Sequence, residues 1–334
     1  MRQQRFCSLV LAALFLAPLL IAAPEALRAH THEGVVYTSD QTWSGNMSLD
    51  EDVVIASGAT LLIESGTYIN VTEDITITIQ GNLQIQGTTE DPVTIWGSWF
   101  AENSVQARWQ GFLLDSGSVT SVLHAMISDS RGGFDAESGA SLTIESTHFT
   151  DSMIGVWNKG SMTGAGFECQ SATTTCLRVD GTANLDTVTS SNSAGVVHIA
   201  NGGDATIDLI ESDLDSDVLV LDGGSTYSGE IQAAGFTRMI RASDSVTATV
   251  TPVATGSGET LVDATMVDGL ELINGNTTNI TVSRILIGTV QDIRLSSIEY
   301  QCDGTANCID AQIQGELAVT DSLFGQQASD SSVF

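Results

Sequence analysis

Residues 139–159 read GASLTIESTHFTDSMIGVWNK, residues 160–180 read GSMTGAGFECQSATTTCLRVD, residues 181–201 read GTANLDTVTSSNSAGVVHIAN, and residues 202–222 read GGDATIDLIESDLDSDVLVLD. Each stretch opens on glycine, so Gly139, Gly160, Gly181, Gly202 and Gly223 follow one another at a constant step of 21 residues. Short apolar runs precede these glycines: Val156 and Trp157, Leu177 and Val179, Val197 and Ile199, Leu219 to Leu221. Others follow them, at Leu142 and Ile144, Leu185 and Val188, Ile207 and Ile210. Between the runs lies a small polar pair, Asp129-Ser130, Asp151-Ser152, Asn192-Ser193, Asp215-Ser216 and Asp321-Ser322. A fixed period of this size is the signature of a solenoid. One unit cannot bury its apolar side alone, but stacked coils can, at a strand spacing of about 4.8 Å. The recurring glycine marks a left-handed or tight backbone position needed in every coil. The recurring Asp-Ser or Asn-Ser pair reads as a row of turn side chains that bond neighbouring backbone.

The step loosens after Gly223, with 46 residues to Gly269 and 46 more to Gly315, or two units of 23 each time. Upstream the same alternation continues less regularly through Val53–Ile55, Leu61–Ile63, Ile75–Ile79, Leu83–Ile85 and Val93–Ile95, with Gly58, Gly66, Gly81 and Gly87 between. Helical spacing of apolar residues is absent beyond the N-terminal segment. The expected fold is all-β, a single-stranded right-handed parallel β-helix of 21–23 residues per coil. Residues 30–52, with Trp43 and Leu49, are expected to cap the first coil and hide its strand edges. Residues 53–334 are expected to form the coils. The last stretch resembles only part of a unit, which reads as a fragment of a longer protein.

Composition narrows the functional classes. The chain has 334 residues, with 41 Asp and Glu against 11 Lys and Arg, a formal net charge of -30. Phosphate backbones and anionic lipid both require a basic footprint, so neither is an expected partner. Lys159 is the only lysine, which leaves Schiff-base chemistry little to draw on. Residues 1–29 have the layout of a secretory signal peptide: Arg2 and Arg5, the apolar run Phe6–Ala23, then Pro24, Glu25 and Arg28. Cleavage after Ala29 is preferred, because cleavage after Ala23 would leave proline first. Removing Arg2, Arg5, Arg28 and Glu25 from the totals leaves 8 basic and 40 acidic residues, a net of -32. Such a surface stays soluble by self-repulsion and suits salty water. The expected address is secreted or cell-surface. Membrane attachment would come only through an uncleaved leader or an anchor outside this chain.

Several motifs then match a known group. Thr42-Trp43-Ser44-Gly45, the run Gly58 to Thr67, Gly81-Asn82-Leu83-Gln84-Ile85-Gln86-Gly87-Thr88, Pro92-Val93-Thr94-Ile95 and Arg108-Trp109-Gln110-Gly111-Phe112 together resemble exported right-handed parallel β-helix repeat proteins of archaeal and bacterial envelopes. These have the pectate-lyase-like superfamily fold. The resemblance spans roughly residues 40–325 and implies a fold more than an activity. It covers non-catalytic envelope proteins as well as polysaccharide lyases and hydrolases. The hydrolases of that fold carry Asn-Thr-Asp, Asp-Asp, Gly-His-Gly and Arg-Ile-Lys motifs; here Arg284-Ile285-Leu286 stops short of the last, and the others are missing.

Candidate residues follow. Asp213, Asp215 and Asp217 alternate, so in a strand they would share one side near Asp222 and be relieved by a calcium ion; no other cofactor is expected. Cys169 with Cys176 and Cys302 with Cys308 read as disulfides closing short loops in an exported chain, zinc being the alternative. Asn46, Asn70, Asn276 and Asn279 open four glycosylation sequons, the last two expected on one outward loop. Trp96, Trp99, Phe100 and Trp109 either pack a loop or stack on sugar rings. His30 and His32 would form a copper or nickel terminus if cleavage falls after Ala29, while His124, His148 and His198 read as coil residues. The expected function is a non-catalytic acidic structural or adhesive protein that meets glycans or other envelope proteins. The alternative is a polysaccharide lyase or hydrolase, which would gather carboxylates and cations in one groove.

Overall fold

The computed structural model describes residues 34–98, 107–254, 258–265, 267–273, 275–282, 284–296, 299–302, 309–320 and 322–326. The leader, His30, His32, Trp99, Phe100, Cys308 and Asp321 lie outside them. Every regular element among the described residues is a strand, and every pairing is parallel. The chain winds as a β-solenoid with three faces.

Face one holds Val35–Tyr37, Val53–Ile55, Thr76–Ile79, Trp109–Leu114, Ser130–Ala136, Ile154–Asn158, Thr175–Val179, Gly195–Ile199, Asp217–Leu221, Phe236–Ser243 and Gly258–Thr265. Each pairs with the one before and the one after. Face two stacks Gln41–Trp43, Thr60–Glu64, Asn82–Gln86 and Val119–Leu123. Face three stacks Asn46–Leu49, Tyr68–Val71, Val93–Gly97 and Ala125–Ser128. From Ser141 onward one long strand per coil supplies both of these faces, as in Ser141–Thr150, Ser161–Gln170, Thr182–Ser191 and Asp204–Asp213. Both faces and face one continue into the described C-terminal strands.

Alternation with period two sends every second residue inward. Because successive coils pair in register, the inward residues form columns. One column on face one runs Phe112, Phe134, Val156, Leu177, Val197, Leu219, Ile240 and Val262, each buried. Aromatics fill the early coils as a staircase: Trp109 to Phe112 at 5.7 Å between ring centroids, Phe112 to Phe134 at 5.0 Å, Phe134 to Phe149 at 6.1 Å and Phe149 to Phe167 at 5.5 Å.

Residues 34–52, expected as a cap, form a coil of their own. Val35, Gln41 and Asn46 each begin a strand that pairs with the next coil. Gly45 turns the chain between two of these strands at φ +72°. Alternation in this short segment is enough to join the stack.

The evenly stepped glycines gather at the corner between faces one and two, where Gly160 and Gly181 are in register and Ala140 and Gly203 take the equivalent positions in the coils before and after. Ser161 N–H donates to Ala140 C=O, Thr182 N–H to Gly160 C=O and Asp204 N–H to Gly181 C=O. They serve two purposes. Gly139 and Gly202 have φ of +89° and +79°, which glycine adopts freely. At Gly160 and Gly181 the turn is shorter and the backbone of the preceding coil closes in. A Cβ there would strike the carbonyl oxygen of Ala140 or of Gly160. In the gap after Gly223 the corner is turned by Asp244 and Ser245, at φ 62° and 64°.

The corner between faces three and one needs one left-handed residue per coil: Asp129, Asp151, Ser171, Asn192, Leu214 and Gly235, with φ between 53° and 70°. The N–H groups of the first five donate to carbonyls of the following coil. The residue after each points inward: Ser130, Ser152, Ala172, Ser193, Asp215 and Phe236, all buried. This corrects the register expected for Asp215-Ser216. Leu214 takes the turn, and Asp215 falls on the interior position.

Two stability measurements test this column structure. Gly160→Ala should lower the thermal midpoint more than Gly202→Ala: the first forces carbonyl against methyl, the second costs only about 1–2 kcal/mol of left-handed strain. Leu214→Asn should stabilise by about 0.5–1 kcal/mol, because asparagine tolerates the left-handed turn and Leu214 is 59% exposed with little packing to lose. Equal losses at the two glycines, or a destabilised asparagine variant, would contradict the assignment.

Candidate functional site

The outward side of face one gathers most of the described cations, Arg131, Lys159, Arg178, Arg238 and Arg241 among them. Asp135, Trp157, Arg178, His198, Val220, Arg241 and Asp263 form one outward column. Lys159 bridges Asp135 at 2.9 Å and Glu137 at 2.7 Å, with its ammonium 4.3 Å from the Trp157 ring. The Arg178 guanidinium carbon lies 4.7 Å from the centroid of the same ring, and Arg178 pairs with Asp180 at 3.1 Å. Trp157 Nε1–H donates to the same Asp180 at 2.9 Å. His198 Nε2 meets Asp222 at 2.8 Å. Arg238 holds Asp217 through two bonds of 2.7 and 2.9 Å and reaches Asp263 at 3.8 Å. Partial burial pulls the Lys159 ammonium down, but its bonds to Glu137 and Asp135 outweigh that and its pKa lies above the usual value. The Asp217 bonds likewise raise Arg238 against the opposing effect of burial. Most of these pairs join residues about one coil apart in sequence, so they fasten coil to coil.

The four aspartates expected to bind calcium are separated. Asp213 is exposed at the end of face three, and Asp215 points into the interior. Asp217 starts face one beneath Arg238, and Asp222 bonds His198. The shared side inferred from alternation fails because the chain turns a corner at Leu214, between Asp213 and Asp217. Among the described residues no group of three or more His, Cys, Asp or Glu side chains could hold a metal ion.

Asp215 instead anchors a buried polar corner. Its carboxylate accepts from Ser193 N–H at 2.6 Å, Ser212 Oγ–H at 2.8 Å and Ser190 Oγ–H at 3.1 Å. Burial raises its pKa above the ordinary carboxylate value, and those three donors pull the other way. Cys169 and Cys176 lie beside this network as free thiols, both 0% exposed. Cys176 Sγ lies 3.2 Å from Ser190 Oγ. Burial pushes the Cys169 thiol well up, and the neighbouring Cys176 adds to it. The segment between them turns the corner between faces three and one, with Gln170, Thr173 and Thr174 exposed, while both cysteines are buried. Cys302 ends a face-three strand, Glu299–Cys302.

Face three carries an elongated hollow in three contiguous parts. The first, about 470 Å³, is lined by Thr88, Pro92, His124, Met126, Ser146 and His148. The second, about 250 Å³, continues from His148 past Glu168 to Thr189. The third, about 340 Å³, runs from Thr189 past Glu211 and Asp213 to Gln232. Met126, His148, Glu168, Thr189, Glu211 and Gln232 are successive register partners. Six coils at about 4.8 Å make this strip about 24 Å long. His148 Nδ1 meets Glu168 at 3.1 Å. No described lysine or arginine lies on face three. Arg294 is on face two, by a separate hollow of about 210 Å³ with Thr247 and Glu271. His198, read as a coil residue, stands outward in the face-one ladder, and His124 and His148 line the face-three hollow.

The aromatic group divides. Trp109 is buried, donating Nε1–H to Ser128 C=O at 3.0 Å, whereas Trp96 is 40% exposed on face three. Asn46 and Asn70 are on face-three strands. Asn276 and Asn279 belong to the strand Asn276–Val282, not to the loop expected for them. Sequence reasoning missed the grouping of cations, because residues one coil apart are distant in the chain until faces and corners are assigned. No protein-family model, curated protein or solved structure matches the chain.

The raised pKa of Asp215 has a defined sign. Its contribution to stability is complete below the ordinary carboxylate value near 3.8 and is lost as pH rises through the raised folded value. Asp215→Asn keeps an acceptor for Ser193 and removes that loss. In calorimetry at pH 4 and pH 7, the variant should gain stability relative to the parent at the higher pH. An unchanged difference between the two proteins at both pH values would show that Asp215 is not the titrating group.

Proposed function

We propose that the chain is a non-catalytic, acidic, exported surface protein of structural or adhesive role, with an uncharged linear glycan as the partner of its face-three strip. One observation carries this reading: the described cations and the long hollow are on different faces. Among the described side chains of face one, Arg131, Lys159, Arg178, Arg238 and Arg241 are each held against carboxylates, which supports a role in cohesion between coils. The hollow offers one polar side chain per coil along much of its length: an imidazole, two carboxylates, a hydroxyl and an amide. Such a row supplies both donors and acceptors to sugar hydroxyls. Its carboxylates, in a chain of charge -30, repel an anionic polymer. Export, a cleaved leader and a secreted or cell-surface address complete the proposal, supported by the N-terminal layout and the acidity.

The alternative, a polysaccharide lyase or hydrolase, has two observations in its favour: the gathering of charge on face one, and Glu168 and Glu211 two coils apart in the hollow. A lyase needs a cation and a base in the groove that holds the polymer, and face three has neither lysine nor arginine among its described residues. A hydrolase needs one carboxyl kept protonated by burial, whereas the Glu168 side chain is 46% exposed.

Titration calorimetry with long β-glucan or chitin oligosaccharides tests the proposal. Glu211→Ala and Gln232→Ala should each weaken binding about fivefold, the loss of one hydrogen bond of about 1 kcal/mol. Arg238→Ala, on face one, should leave it unchanged. Release of reducing ends or unsaturated products would sink the non-catalytic reading, and affinity indifferent to the strip residues would sink the placement.

A further inference from the structure

Both sequons in the first coils set their asparagine directly below an exposed aromatic ring. Asn46 opens a face-three strand, and its register partner in the next coil is Tyr68. Asn70 lies two residues beyond Tyr68, and its register partner is Trp96. All four residues alternate with interior positions, Ile69, Val71 and Ile95 among them, and so face outward. Tyr68 at 37% and Trp96 at 40% are the exposed aromatics among the described side chains. The stack itself has no need of a ring at either place. Higher in the same columns stand Thr94 above Tyr68, and Ser128 and Thr150 above Trp96. Leaving an indole in water forgoes much of the stabilisation that its burial gives. The Asn70 Oδ1 atom is buried without a hydrogen-bond partner, which leaves Nδ2 as the outer atom of that amide.

We infer that Asn46 and Asn70 carry N-linked glycans whose first sugar lies against Tyr68 and Trp96 respectively. The donor is a polyprenyl-phosphate-linked oligosaccharide, met during export before the coils close. Asparagine Nδ2 forms a bond to the anomeric carbon and loses one proton. The bond from that carbon to the carrier's phosphate oxygen breaks, and the phosphate departs with the electron pair. Once the coils stack, each sugar stands one coil step, about 4.8 Å, from its ring. The C–H face of the sugar covers the aromatic face, removing apolar surface from water. Because both partners are on paired strands, the contact forms with little further loss of freedom. The sugars cover the first coils of face three. The hollow from Thr88 to Gln232 uses other residues, so this inference stands or falls separately from glycan binding there.

The exported chain is produced in a eukaryotic cell that adds N-acetylglucosamine-rooted glycans, and glycopeptide mass spectrometry reads occupancy at Asn46 and Asn70. Thermal midpoints are then compared for the intact glycoprotein, for protein trimmed to the first sugar, and for protein stripped entirely. Trimming should leave the midpoint within about 1 °C, and stripping should lower it by about 2–4 °C, the size expected for about 1 kcal/mol at each of the two sites in a chain of this length. In a Tyr68→Thr, Trp96→Thr double variant, which matches the neighbouring column residues, stripping should change it by less than about 1 °C. Acrylamide quenching supplies a check without substitution, since stripping should expose one more indole. Unmodified asparagines at both sites overturn the inference. So does a stripping loss that is the same with and without the two rings.

Discussion

Parallel pairing of each coil with the next, in register, is the constraint from which the rest follows. It places residue upon residue in columns about 4.8 Å apart. An inward column is then mainly apolar, with polar side chains bonded to one another where they meet in neighbouring coils. Phe134, Val156, Leu177 and Val197 show the first solution. Ser130 and Ser152, with Oγ atoms 2.9 Å apart, show the second. At corners the same stacking brings carbonyls of one coil against the turn of the next, so glycine is required at some turns for space and at others for its left-handed backbone.

This explains what could be read from the residues and what could not. The solenoid was legible because period and alternation are properties of the chain alone. The stacked glycines and the Asp129 and Asp151 turns were legible for the same reason. Asp215 was misread because Asp213-Leu214-Asp215-Ser216-Asp217 offers two frames for the small polar pair, and only the neighbouring coils decide between them. Leucine is a poor left-handed residue, so local preference favoured the wrong frame. The calcium grouping failed with it, since an alternation argument holds within a strand and not around a bend. The need to hide the edge strands of the first coil points to a cap at residues 34–52, but strands of three and four residues suffice to form a coil when each pairs with the next.

The distribution of charge has a physical reason as well. A chain of net charge -30 repels itself, and stacking carries like charges to within one coil of each other. Placing most of the described cations on a single face lets several of them meet carboxylates from adjacent coils. Arg238 binds Asp217 of one coil and reaches Asp263 of another, and Lys159 spans Asp135 and Glu137. Such pairs are partly exposed and individually worth no more than about 1 kcal/mol. Repeated along one face, they offset repulsion where the spacing between coils makes it strongest.

Face one is occupied with cohesion between coils, whereas on face three His148 meets Glu168 and Thr189 donates to Glu211. On face three the pairing that fixes the core also fixes the outward spacing, so Met126, His148, Glu168, Thr189, Glu211 and Gln232 form a row without any loop to hold them. A polymer with a repeating unit can meet such a row many times through weak contacts, each needing no reorganisation of the protein. The interior beneath is equally rigid: Asp215 takes three donors from two coils, and the thiols of Cys169 and Cys176 are packed beside it. A catalytic centre would need one group set apart from its column, with a shifted pKa and room for substrate. The strongly shielded groups here, Asp215 and Cys169, are both turned inward, on the opposite side of the sheet from the hollow. Separation of shielded groups from accessible surface is what in-register stacking produces among the described coils.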